Sequence, residues 1–182
     1  METTREIKQY ADLDGVMHEL DPENPQPGIY LGVSFWDYLN IKAVSRSSLK
    51  NFRDAPEKYL SPDNKNTPSK ILGAQYHSFI FEYGSFFDLY HLWEKKRDKR
   101  NAEYRAMYEK YGEEYIYKPQ DLDLMKDMKD ALYRYPKAKK ILTNRNPKEV
   151  TVIAKCTLTG FMLKIRIDVI LTGDVWIADL KK

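Results

Sequence analysis

The sequence predicts one α/β domain in which helices come first and a small sheet follows. Two observations carry this. Between residues 45 and 142 apolar side chains recur at helical spacing, interrupted by turn formers, whereas from Glu149 the period drops to two. The length of 182 residues supports a single hydrophobic core and does not require a second domain.

The elements follow in order. Residues 1–27 are polar and carry Pro22, Pro25 and Pro27, the pattern of a flexible amino-terminal arm. The domain proper is expected over 28–182. Gly28 to Tyr38 holds an aromatic run that suits a strand or edge segment. Ser45 or Ser47 can cap a helix to about Arg53, and Pro56 marks a break. Residues 61–68 (SPDNKNTP) read as a loop. Over 71–84, Leu72, Tyr76, Phe79, Ile80 and Tyr83 predict a buried or half-buried helix. Trp93 to Tyr111 is dense in both charge signs and suits an exposed helix stopped by Gly112. Pro119 opens another, with Leu124, Met125, Met128 and Leu132 on one face, and Pro136 starts a shorter one to about Leu142. Residues 149–157, 161–171 and 174–181 then read as a β-meander, turning at Leu158-Thr159-Gly160 and Thr172-Gly173.

Composition excludes more than it assigns. A net charge of +3 neither requires nor forbids nucleic-acid binding. The single cysteine, Cys156, sits in a strand-like run and reads as a small buried hydrophobe. The polar start lacks a secretory signal, and no apolar stretch is long enough to span a bilayer, so the expectation is a cytoplasmic protein without a membrane partner.

The chemistry concentrates at the carboxyl-terminal end. In the middle strand Phe161, Leu163, Ile165, Ile167 and Val169 alternate onto one face, leaving Lys164, Arg166 and Asp168 on the other. Asp179 and Lys181 share a face of the last strand, and pairing through a tight turn brings Asp179 near Asp168. Two adjacent carboxylates repel unless a proton or cation intervenes, and a hard divalent cation is held by such oxygens. Such an ion lowers the pKa of bound water and offsets charge on a phosphate, while a nearby lysine orients the water or stabilises the transition state. Plainer readings stand beside this. Asp-x-Lys is common at strand ends, and Asp168 equally suits a salt bridge to Arg166 or Lys164. Asp174 is a turn former, and the basic residues from Lys95 to Arg100 fit a solvated helix face. A lone helix histidine such as His77, and likewise His18 and His91, is ordinarily structural.

Taken together, the motifs resemble the RecE-type (exonuclease VIII-like) nucleases of the PD-(D/E)xK superfamily, related to RecB-like nuclease domains. The stretch KEVTVIAKCTLTGFMLKIRIDVILTGDVWIADLK matches that core through Glu149, Thr159-Gly160, Lys164, Arg166, Asp168, Asp179 and Lys181. Upstream, VSRSSLKNFRDAPEKYL is similar to the family's Ser-x-Ser-x-Leu-Lys helix with its Pro-x-x-Tyr, and ILGAQYHSFIFE to its Leu-Gly-x-x-x-His helix. The resemblance spans roughly 28–182 and implies a restriction-endonuclease-like core of helices packed on a small mixed sheet. It also implies Asp168, Asp179, His77 and the Leu180 carbonyl as metal ligands for Mg²⁺ or Mn²⁺, with Lys181 as catalytic lysine and Glu149 in a supporting or metal-linked role.

By the same resemblance the activity is exonucleolytic hydrolysis of linear double-stranded DNA, 5′ to 3′, in recombination alongside a single-strand annealing protein. A homo-oligomer is implied as well. In the family a further strand and helices, with a Gln-x-x-x-Tyr element, follow the Asp-x-Lys strand, so the core is expected to be truncated after it. That departure supports an alternative, a catalytically inactive DNA-binding or assembly module that keeps the nuclease fold.

Overall fold

The computed structural model describes residues 7–57, 67–171 and 176–180. In chain order the elements are β1 (Lys8–Ala11), β2 (Met17–Leu20), β3 (Gly28–Tyr30), α1 (Phe35–Asn40), α2 (Arg46–Asp54), α3 (Pro68–Phe81), α4 (Tyr83–Leu89) and β4 (His91–Leu92). There follow α5 (Ala102–Tyr111), β5 (Ile116–Tyr117), α6 (Pro119–Tyr133), α7 (Pro136–Thr143), β6 (Lys148–Lys155), β7 (Met162–Leu171) and β8 (Trp176–Ala178). The chain forms two compact units, one made of Met1–Asn64 with Arg145–Lys182, the other of Lys65–Asn144.

The first unit is built on a sheet of order β3-β6-β7-β8 with antiparallel pairings. Val44 adds a parallel bridge to Leu163, which makes the sheet mixed as expected. The β6–β7 hairpin closes as the Thr-Gly signal predicts: Gly160 takes φ 73°, and its N–H donates to the Cys156 carbonyl at 2.8 Å. Cys156 is half-buried in this turn rather than packed in a core, and Thr159 hydrogen bonding holds its thiol below the usual range.

The amino-terminal residues differ from the flexible arm expected over 1–27. From Lys8 they form a β1–β2 hairpin. Its turn is set by Asp12, whose Oδ1 accepts the N–H groups of Asp14 and Val16, both at 2.9 Å, and by Gly15 at φ 81°. Leu20 then joins Tyr30, Val33, Tyr38, Ile41 and Ile153 in the core. The aromatic run at 28–38 is divided: only Gly28–Tyr30 is strand, and Ser34 caps α1 by accepting the Asp37 N–H at 3.0 Å. Ser45 caps α2.

The second unit is helical around aromatic rings. Phe86 stacks on Tyr90 at 4.8 Å and meets Phe79 edge-on at 5.2 Å. The buried Gln75 donates to the carbonyls of Glu114 (3.0 Å) and Ile116 (3.1 Å). Helix α3 ends at Phe81, and α4 restarts after Glu82. The helix expected from Trp93 begins only at Ala102, because the Asn101 side chain accepts the N–H groups of Glu103 and Tyr104 and so caps a new start. Gly112 ends it at φ 86°. On α6 Met125 is buried, whereas Leu124 is 45% exposed and lies off the apolar face. Among the described residues no helix is long and apolar enough to cross a membrane. Of the loop expected at 61–68, residues 61–66 lie outside the described residues, as do the turn Thr172-Gly173, Asp174 and Lys181, whereas Thr67 caps α3 and Pro68 opens it.

Candidate active site

Strand alternation along β7 puts Lys164, Arg166 and Asp168 on one face, as the sequence implies. Burial does not follow polarity: both faces of the strand bury residues, Val169 at 2% exposure on the apolar face included. Lys164 and Asp168 are buried, while Ile165 on the opposite face is 53% exposed. Phe161 precedes the strand and is exposed.

Each buried charge has a specific partner. The Lys164 ammonium donates to the carbonyls of Tyr38 (2.8 Å), Leu39 (3.2 Å) and Ile41 (2.7 Å), satisfying the carboxyl-terminal end of α1, and it lies 4.8 Å from the Tyr38 ring centroid. Burial pushes its pKa down to about 8. Burial also raises the Tyr38 hydroxyl, against the positive charge of Arg166. Arg166 donates to the Glu149 carboxylate and to the Val33 carbonyl. Asp168 accepts the Leu180 N–H at 2.6 Å through Oδ2. Of the salt bridges open to Asp168 on sequence grounds, Arg166 is engaged by Glu149 and Lys164 by α1.

The register lines up the acidic residues. β6 and β7 pair without slip from Lys148↔Val169 to Lys155↔Met162, which counts Glu149 opposite Asp168. β7 and β8 pair Val169 with Ala178, so the count carries Asp179, just past the strand, to the level of Asp168. By register, Glu149 and Asp168 lie opposite one another on β6 and β7, and Asp179 continues the row just beyond β8. Glu149 is buried yet takes φ 52°, the left-handed region that costs a non-glycine residue strain. Asp179 is exposed and Asp168 buried, so the row runs from solvent into the unit. Next to it on β6, the buried Thr151 hydroxyl has no hydrogen-bond partner among the described residues.

His18, His91 and the basic residues from Lys95 to Arg100 have structural partners. His18 is bonded to Asp12 at 2.8 Å, and His91 packs 3.7 Å from the Tyr111 ring. Lys95 pairs with Glu103, Arg97 donates to the Ile116 carbonyl, and Arg100 pairs with Asp98, so the stretch is structural, but it precedes the helix and is not the solvated helix face expected. His77 lies on α3 in the second unit, half-buried, with its ring against Tyr76 and Phe81. The pairing of Arg166 with Glu149 was not read from the sequence, although both residues belong to the recognised motifs. Opposite charges on neighbouring strands were the available signal.

The acidic row offers carboxylate oxygens, which suit a hard divalent cation such as Mg²⁺ or Mn²⁺ better than a soft, thiolate-seeking one. No curated protein matches the chain. The model of one family, described as a PDDEXK-like domain of unknown function (DUF3799), matches residues 45–182. That span includes β6 to β8 and the whole acidic row, and the mixed sheet with its helices fits the α/β nuclease-like fold. The chain belongs to this PDDEXK-like family.

Proposed function

We propose that the protein is a divalent-metal-dependent deoxyribonuclease acting from the ends of linear double-stranded DNA. The observation that carries this reading is the acidic row Glu149–Asp168–Asp179 on a sheet face that buries charge, within a chain of PDDEXK-like membership. A sheet gains nothing in stability from burying a carboxylate, so its retention there points to chemistry.

In this reading Asp168 and Asp179, with the Leu180 carbonyl, hold Mg²⁺ or Mn²⁺. When bound, the ion supplies activation of water and neutralisation of phosphate charge. The Leu180 N–H bond fixes the Asp168 carboxylate and ties the end of β8 to β7. Arg166 fixes Glu149 beside them. Lys181, two residues past Asp179, is the group for orienting or deprotonating the attacking water. His77 is taken as a further ligand from the sequence resemblance, and exonuclease polarity, a recombination role, an annealing partner and oligomerisation rest on that resemblance alone.

The test incubates the chain with end-labelled linear and closed circular duplex DNA, with Mg²⁺, Mn²⁺ or chelator. Loss of the linear duplex alone, dependent on metal, is expected. Asp179→Ala should lower the rate by about a thousandfold or more, and Lys181→Ala similarly, without loss of folded structure. Full activity in Asp179→Ala would sink the assignment. Cleavage of closed circles would replace exonuclease by endonuclease, and salt-sensitive binding without turnover, unaffected by Lys181→Ala, would support the inactive module.

A further inference from the structure

Helix α2 contributes nothing to the core: none of its residues is buried. It nevertheless concentrates charge. Arg46, Lys50 and Arg53 stand against a single acid, Asp54, so nine residues carry +2 of the chain's net +3. At about 100° per residue the three cations fall within an arc of roughly 60°, one stripe along the helix. With Leu49 they line a single surface depression. Arg53 is shared with Asp54 at 2.9 Å, which leaves Arg46 and Lys50 as the principal cations of the stripe.

The helix is attached to the sheet that carries the acidic row. Val44, two residues before α2, accepts from the Lys164 N–H at 2.9 Å and donates to the Met162 carbonyl at 2.8 Å. It thereby bridges to β7 at Leu163, on the edge to which β8 pairs further along. Leu163 and Asp168 are five residues apart on β7, roughly 17 Å at about 3.3 Å per residue. Phosphates along one strand of a duplex are spaced about 3.4 Å along the axis, so the point where the α2 segment joins β7 lies about five base steps from Asp168. A basic stripe so placed matches the charge of a nucleic-acid backbone running toward the carboxylates.

Resting on the nuclease reading above, we infer that the Arg46–Lys50–Arg53 stripe of α2, on the segment joined to β7 at Leu163, is a track for the phosphate backbone of duplex DNA leading to the acidic row. It contacts phosphates rather than bases, so it adds affinity and register without sequence preference.

The experiment measures binding of a fluorescent blunt duplex to the full chain across a series of KCl concentrations, with Ca²⁺ in place of Mg²⁺ to prevent turnover. The chain is compared with the triple variant Arg46→Ala, Lys50→Ala, Arg53→Ala. All three positions are exposed, so the melting temperature should be unchanged, which is checked first. The triple variant should bind at least about tenfold more weakly, with the slope of log K against log salt shallower by roughly two to three, since each lost phosphate contact removes ~0.9. Arg46→Lys with Arg53→Lys should keep the native slope, because a phosphate track reads charge and not the guanidinium fork. An unchanged slope and affinity in the triple variant, beside a native chain that binds DNA, would overturn the track and leave the nuclease reading standing. A native chain that neither binds nor cleaves duplex would overturn both. Salt-sensitive binding of phosphatidylserine vesicles but not DNA, abolished in the triple variant, would reassign the stripe to an anionic lipid surface and overturn the inference.

Discussion

The two units bury different things. The core of the helical unit is aromatic, with Phe79, Phe86, Tyr90, Tyr104 and Tyr117 beside Ile116 and Met125, and its buried Gln75 is satisfied by two backbone carbonyls. The sheet unit buries Glu149, Thr151, Lys164 and Asp168, with Arg166 on the same face, alongside its apolar cluster. Aromatic burial stabilises in proportion to area, whereas buried charge costs free energy unless it is paired. The helical unit is therefore optimised for holding its shape. The sheet unit gives up stability at one face to keep charged groups in fixed positions.

Paired substitutions give the sharpest test of this contrast. Phe86→Ala should cost about 3–5 kcal/mol in urea unfolding, the range for removing a packed aromatic ring. Arg166→Ala should cost a similar 3–5 kcal/mol for a different reason, since it leaves the Glu149 carboxylate buried without its guanidinium. The two diverge on adding a second change. Arg166→Leu combined with Glu149→Leu should recover most of the lost stability, because an apolar pair of similar volume dispenses with the desolvation cost. A cost below about 1 kcal/mol for Arg166→Ala would mean that the pair is not held in the folded state, and the contrast between the units would fail.

Lys164 offers a smaller effect with a definite sign. Its folded pKa lies near 8 and its ordinary value at 10.5, so between these values the unfolded chain binds more protons than the folded one. Stability contributed at this position therefore rises as pH increases from about 8 to about 10.5, and is flat below. The groups facing it are the α1 carbonyls and the Tyr38 ring, with Arg166 the next residue on its strand face. Unfolding free energies of the native chain and Lys164→Met, compared across that window, should move in favour of the native chain. A difference independent of pH would show that the ammonium keeps its ordinary pKa, and that the three carbonyls offset its desolvation in full.

What the sequence revealed follows the same division. β6, β7, β8, α2, α6 and α7 were legible because period and caps agree: Ser45, Pro119 and Pro136 sit where helices start, and Gly160 where the hairpin turns. Helix α1 was hidden by its aromatic composition, although Ser34-x-x-Asp37 is a capping pattern. The β1–β2 hairpin was hidden because its strands are polar and the Asp12 turn lies among other turn formers. Division into two units escaped detection because helical periodicity reports a buried face without saying which core receives it. At the site, alternation placed Lys164, Arg166 and Asp168 on one face but did not reveal that Lys164 and Asp168 are buried there. Pattern reasoning equates burial with hydrophobicity, and this sheet departs from that rule where its charges collect.

The opposite face of β7 supplies the smallest and most local test. Ile165 and Val169 lie four residues apart on that face, yet Ile165 is 53% exposed and Val169 only 2%. If patterning alone governed the strand, truncating either would cost a comparable amount. The observed burial instead predicts roughly 0.5 kcal/mol for Ile165→Ala and on the order of 2 kcal/mol for Val169→Ala, since only the latter removes methyl groups already withdrawn from water. Thermal unfolding of the two variants side by side decides the matter. Equal losses would place Ile165 in a buried contact and restore ordinary polarity to the strand. A clear asymmetry would show that the apolar face of β7 is open at Ile165 and closed at Val169, so that the strand is packed on both faces beside Asp168 and not at its middle.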